Sequence, residues 1–467
     1  MKSKTKKILA IGLSGIIVVH VLIITILMVP PSTPPPGAGP TNVWTWVSGS
    51  YSVDNIGFYG TKGVAGPVNV PGARWESVSW ADAGGNFWLF GGQGYDNFDE
   101  GFLNDLWMFN VATTMWTWVS GNYSRNNYGT YGTKGVADSA NVPGARSASV
   151  SWTDRGGNLW LFGGYGYTNA SSGQLNDLWR FNVSDATWTW VSGSYSVNNL
   201  GTYGTKGVAD AANVPGARVY SISWTDTVGN LWLFGGYGRS NASLGVLNDL
   251  WMFNVSDATW TWVSGSYSVN NLGTYGTKGV ADPANVPGAR YDVESWTDAG
   301  GNFWLFGGEG YDNASSGFLN DLWRFNVSDV TWMWVSGNYS VNNYGMYGTK
   351  GVANPANVPG ARNGGASWTD AGGNFWLFGG QGYDNASSGF LNDLWRFNVS
   401  DATWIWVSGD YFSGNDGTYD MNEMNMPGAR DSPASWTDAG GNFWLFGGYG
   451  WSDGPEGYLN DLWKYTL

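Results

Sequence analysis

Along residues 42–467 the apolar positions fall in short runs, broken at regular intervals by clusters of Gly, Asn, Asp and Ser. No stretch of this region keeps the i, i+3, i+4 spacing of an amphipathic helix. In the first unit, residues 74–80 read as a strand and Asp82-Ala83-Gly84-Gly85-Asn86 as a turn. Residues 87–90 read as a wholly apolar second strand ending at Gly91-Gly92, 106–111 as a third, and 116–119 as a fourth that alternates apolar and polar. An all-apolar strand belongs in the middle of a structure, covered on both faces.

This unit recurs. Pro-Gly-Ala-Arg begins at 71, 143, 215, 287, 359 and 427, four steps of 72 and one of 68. Leu-Asn-Asp-Leu-Trp recurs from Leu103, Leu175, Leu247, Leu319, Leu391 and Leu459, and Trp-x-Trp-Val-Ser-Gly from Trp44, Trp116, Trp188, Trp260, Trp332 and Trp404. Four short strands in each of six units predict an all-β, six-bladed propeller around a central channel. The first Trp-x-Trp strand, 44–47, precedes any Pro-Gly-Ala-Arg, and the last unit ends without a fourth strand of its own. Strand 44–47 is therefore expected to join the last blade and close the ring, which leaves no exposed terminal blade.

The Gly-Gly after strand two, the aromatic of strand three (Trp107 and its equivalents) and the Trp opening strand four (Trp116 and its equivalents) resemble the kelch-repeat family of β-propellers. The likeness covers 42–467. The family includes the central domain of galactose oxidase, whose copper site needs His ligands and a Tyr cross-linked to Cys. Here the sole His is His20 and there is no Cys, so copper-radical chemistry is excluded. The turn around Asp82 also resembles the Asp-box of sialidase propellers, but its Ser-to-Asp spacing is one residue too long; it reads as a hairpin turn.

Ahead of the repeats, residues 8–29 carry no charge and are long enough to span a bilayer. Lys2, Lys4, Lys6 and Lys7 precede them, which places 1–7 in the cytoplasm and the propeller outside it. The segment reads as a signal anchor, with a cleaved signal peptide (and a secreted propeller) as the alternative. Residues 30–41 are a proline-rich linker. The region 42–467 holds 18 basic against 36 acidic residues, a balance that repels phosphate backbones and argues against nucleic acid. Without Cys, and with no His in the repeats, disulfides, zinc sites and Ser–His–Asp catalysis are also gone. No cofactor or metal is expected.

The six copies serve as an internal alignment. The Arg of each Pro-Gly-Ala-Arg is expected to pair with the Asp of Asn-Asp-Leu-Trp. Residues that scatter between copies mark candidate binding positions. After the Arg these include Trp75, Glu76, Tyr220, Tyr291, Asp292, Glu294, Asn363 and Asp431. After Gly-Gly they are Gln93, Tyr165, Tyr237, Glu309, Gln381 and Tyr449; further along that loop sit Asp96, Thr168, Arg239, Asp312, Asp384 and Trp451. In kelch propellers residues at these two places commonly contact the ligand, so the resemblance points to one channel mouth. The acidic members would make it negative. The 21-residue loops such as 50–70 should fold over the ring rather than hang free.

These readings lead to a membrane-anchored, extracytoplasmic, non-catalytic module that binds a protein or glycan at one channel mouth. The alternatives are a carboxylate-dependent glycan-active enzyme using Glu76, Asp292, Glu294 and Glu309, and a structural or adhesive surface protein.

Overall fold

The computed structural model describes residues 42–419 and 425–467. The basic tail (1–7), the expected membrane segment (8–29) and the linker (30–41) lie outside the described residues. Every regular element among those described is a strand, and none of them is a helix long and apolar enough to cross a membrane.

Val78–Ala81, Phe87–Phe90, Leu106–Asn110 and Met115–Ser120 form an antiparallel sheet in that spatial order. The arrangement recurs in every unit. The innermost strands, Val78–Ala81, Val150–Thr153, Ile222–Thr225, Glu294–Thr297, Ala366–Thr369 and Ala434–Thr437, each pack on the next, and the last packs on the first. This is the layout of a β-propeller. In the last blade the outer strand is Val43–Ser48, paired antiparallel with Glu456–Thr466 so that Trp46 faces Trp463.

Adjacent blades are held by aromatic layers. Between the last blade and the first, Phe87 stacks on Trp436 at 5.0 Å and 13°, with Leu89, Trp107, Phe109, Trp116, Trp444 and Phe446 around them. The apolar second strand is buried at all four positions because it meets a neighbouring blade on each face. Each such ring buries a large apolar area, worth ~1.5–3 kcal/mol per side chain. The Trp-x-Trp, Ser-Trp, Trp-Leu-Phe and Leu-Trp tryptophans are buried, apart from Trp46, which lies half-covered against Tyr51 and Tyr419.

The expected pairing of Arg with Asp is present in all six blades. Arg74 donates from Nη1 and Nη2 to Asp105 at 2.7 and 2.8 Å, and both side chains are fully buried. Asp105 also accepts from Tyr59 Oη (2.6 Å) and Trp107 Nε1 (2.7 Å), so the carboxylate is well supplied with donors. Tyr59 belongs to the 50–70 loop, which is thereby fastened to the ring. Lys62 Nζ fastens it further, lying 4.3 Å over the Trp118 ring and donating to Gly121 O. Asn69 Nδ2 adds a bond to Trp116 O. The loop runs along the outer strand and covers part of its edge.

One expectation needs correction: strand one is not continuous over 74–80, since Arg74–Trp75 and Val78–Ala81 are separate strands. Strand two spans Phe87–Phe90 and ends at Gly91-Gly92 as expected. The chain then continues into a separate strand, Gln93–Tyr95, and returns as Glu100–Phe102. Arg74–Trp75 completes a three-stranded sheet with these two, set beyond the bend at Gly91 and Gly92. Both glycines have positive φ (64° and 96°), and a Cβ on Gly92 would lie 2.6 Å from Trp75 O. In the third and last blades the small and large sheets run on as single long strands, Leu231–Arg239 with Leu244–Asn254 and Phe443–Trp451 with Glu456–Thr466.

Candidate functional site

The break in strand one builds the channel mouth. The residue two past each Arg is Glu76, Ala148, Tyr220, Asp292, Gly364 or Ser432, and all six have left-handed φ, between 47° and 64°. The N–H of each donates to the carbonyl of its counterpart in the preceding blade: Ala148 to Glu76 (3.1 Å), Tyr220 to Ala148 (3.0 Å), Asp292 to Tyr220 (2.9 Å), Gly364 to Asp292 (3.3 Å), Ser432 to Gly364 (2.7 Å) and Glu76 to Ser432 (3.2 Å). The result is a closed ring of six hydrogen bonds around the axis. Left-handed φ costs a non-glycine residue about 1 kcal/mol or more, and this ring holds it there.

Within the ring lies a cavity of about 160 Å³, lined by Glu76, Tyr220, Asp292, Gly364, Gly365 and Ser432 among others. Glu76 reaches across it. Its Oε1 accepts from Tyr220 Oη, two blades away, and its Oε2 accepts from Ser147 Oγ at 2.7 Å. On the opposite side Glu294 Oε1 accepts from the Gly365 N–H at 2.6 Å, and the Asp431 carboxyl lies against Gly364.

Burial raises all four of these carboxyls above the usual carboxylate range. Asp292 is pushed up to about 7, by burial first and then by the charges of Glu76 and Glu309. Glu294 rises to about 8, burial outweighing the Gly365 N–H that favours its ionised form. Asp431 goes well up through burial and the charges of Asp292 and Glu76. For Glu76 burial wins over the bonds from Tyr220 and Ser147.

Of the candidates read from sequence, Glu76, Tyr220 and Asp292 line this cavity, while Glu294, Asn363 and Asp431 are buried beside it. The rest stand on the small sheets. Trp75 packs on Tyr449 at 5.6 Å, and Gln93 Nε2 donates to Glu100 Oε1 (3.0 Å) and Tyr458 Oη (3.2 Å). Tyr291 lies 6.0 Å from Tyr220 and 6.2 Å from Tyr237 and pairs with Glu309 across the strands. Gln381 pairs with Asn363, and Tyr165, 43% exposed, sits 5.7 Å from Phe102.

Two of the candidates further along the Gly-Gly loop, Arg239 and Trp451, stand one position earlier in their units than the other four. Arg239 and Trp451 are the counterparts of Tyr95, Tyr167, Tyr311 and Tyr383, whereas Asp96, Thr168, Asp312 and Asp384 match Ser240 and Ser452. The second set is buried and serves the turn: Asp96 accepts from the N–H groups of Asp99 (2.7 Å) and Arg125 (3.0 Å). Sequence reading also missed Ser147, Gly364 and Gly365. Only the blank pair Gly364-Gly365, where the other copies carry side chains, could have signalled them.

The other end of the channel is a wider funnel of about 400 Å³, lined by Ser79, Trp80 and their equivalents. Its serines are occupied by the scaffold, as Ser79 Oγ donates to Ser435 O (3.0 Å) and Ser151 Oγ to Ser79 O (3.2 Å). Among the described residues no three His, Cys, Asp or Glu side chains assemble as a metal-holding group.

No protein-family model matches the chain. It is similar to the dynein alpha chain of the flagellar outer arm of Chlamydomonas reinhardtii, at 25% identity over 210 residues, or 44% of this chain. The match spans about 4% of that relative's length.

Proposed function

We propose that this protein is a six-bladed, kelch-type propeller that binds a protein or glycan without catalysis at the mouth ringed by Glu76, Tyr220 and Asp292. Two carboxyls, Glu76 and Asp292, line one small cavity and two more, Glu294 and Asp431, are buried beside it, at the end where the chain's repeats diverge; this carries the reading. Fold alone assigns no function. The aromatic pairs Trp75–Tyr449 and Tyr220–Tyr291 flank that cavity and supply the residue types that dominate binding energy. The scaffold positions are repeated, and the opposite funnel is too, so neither distinguishes one ligand from another. The proposed anchor at 8–29 would hold this head outside the cytoplasm.

The test is a screen of the full chain against glycan and cell-surface protein arrays, followed by Trp75→Ala and Tyr291→Ala. A hit weakened at least tenfold by either substitution supports the mouth as the binding face. Binding indifferent to both refutes it. The raised carboxyl of Glu294 favours a second reading, a glycan-active enzyme using it as proton donor. Glycan turnover abolished by Glu294→Gln would establish that reading in place of the first.

A further inference from the structure

The divergent blades are not spread evenly around the ring. Three residues past the Arg, the first three blades carry Ser77, Ser149 and Ser221, each donating to the carbonyl of the first glycine in its own Gly-Gly bend. The next three carry Val293, Gly365 and Pro433, none of which can donate from a side chain. In the fifth blade both positions are glycine, and its two neighbours fill the space. Glu294 reaches in from the fourth blade to the Gly365 N–H. Asp431 reaches in from the sixth, its Oδ1 lying 1.7 Å from where a Gly364 Cβ would be.

This sector has acceptors and too few donors. Glu294 Oε2, Asp431 Oδ1 and the side-chain Oδ1 of Asn363 have no hydrogen-bond partner. The three residues are 3%, 6% and 7% exposed. A buried acceptor left unpaired is costly, and more so when charged. By contrast Glu76, on the other side, has both oxygens supplied by Tyr220 and Ser147. The missing component is a group that only donates. An ammonium has three N–H donors and no acceptor, whereas hydroxyls and carboxylates would bring further lone pairs. Ammonium is also compact, where a guanidinium presents a broad planar fork. A metal ion is disfavoured because no three of the carboxyls assemble around one point. Ala148, Val293 and Pro433 line the same cavity and offer apolar wall to a methylene chain.

We propose that the fourth-to-sixth-blade sector of the mouth receives the side-chain ammonium of a lysine presented by a protein partner, with Glu294 and Asp431 releasing their protons to solvent on binding and becoming its counter-charges. This deepens the binding reading above and rests on it. A lysine stem is narrow enough for a bore of about 160 Å³. The head, 18 basic against 36 acidic residues and so a net −18, draws a cationic side chain toward it.

The test titrates the full chain calorimetrically with Nα-acetyl-lysine-N-methylamide, its Nε-acetylated form, the norleucine analogue, Nα-acetyl-arginine-N-methylamide and glucosamine. The free-ammonium lysine compound is expected to bind, and the Nε-acetyl and norleucine compounds are not. Asp431→Asn and Glu294→Gln should each weaken lysine binding at least tenfold, with the exposed turn variant Asp185→Asn as the unaffected control. Tryptophan fluorescence checks that each variant is folded, and Asn363→Ala, which removes the third unpaired acceptor of the sector, replaces any that is not. Equal binding of norleucine, or affinity unchanged in the folded variants, overturns the proposal. Preference for glucosamine overturns it in favour of an amino sugar. Silence from every amine, alongside an array hit that Trp75→Ala abolishes, sinks the lysine assignment and leaves the mouth reading standing. An array hit unaffected by either rim substitution sinks both.

Discussion

Glu294→Gln should give a protein whose stability advantage over the parent grows as pH rises, the reverse of what removing a stabilising charge would do. In the folded state Glu294 titrates at about 8, against 4.5 in its ordinary environment. Between those values the folded protein keeps a proton that the unfolded chain has released. Stability therefore falls with increasing pH across this window, by ~1.4 kcal/mol per unit for one group. From pH 5 to pH 7 the loss is about 2–3 kcal/mol, and it levels off above pH 8. Glutamine keeps the shape and can still accept the Gly365 N–H with its Oε1, but it has no proton to lose. Urea unfolding followed by the fluorescence of the 32 tryptophans, at pH 5, 6, 7 and 8, measures the difference. The two proteins should be close at pH 5, with the variant ahead by about 2–3 kcal/mol at pH 7. Asp292 and Asp431, also raised, add slope to both curves, so the difference reports Glu294. Parallel curves from pH 5 to 8 would refute the account of its burial.

Asp249→Asn should cost about 3–5 kcal/mol in the same assay, because it leaves the fully buried Arg218 without its counter-charge. A loss under about 1 kcal/mol would show that the repeated Arg–Asp pair is not what holds each blade. Trp44→Ala removes a ring packed 5.3 Å from Phe378 and 5.1 Å from Tyr465, and should cost about 3–5 kcal/mol. The same substitution should also expose the last strand, Glu456–Thr466, to chymotrypsin; unchanged cleavage there would contradict its pairing with Val43–Ser48.

Much of the architecture is written in the chain because it is local and repeated. Phe87–Phe90 could only be an interior strand, and the offset of the Trp-x-Trp motif required the first strand to seek the last sheet. Each Arg–Asp pair follows from a fixed separation of 31 residues within a unit. The left-handed ring at Glu76 and its five counterparts was illegible, since four of the six are neither Gly nor Asx and no local rule assigns them positive φ. Contacts between blades impose it. The meeting of Glu76 with Tyr220 spans 144 residues, and Asp431 comes to Gly364 only because the ring brings the fifth and sixth blades side by side. Sequence listed the carboxyls; the tertiary structure decided which are buried, which are supplied with donors and which are left wanting one. Burial and donor supply depend on what the neighbouring blades contribute, and no single repeat contains that information.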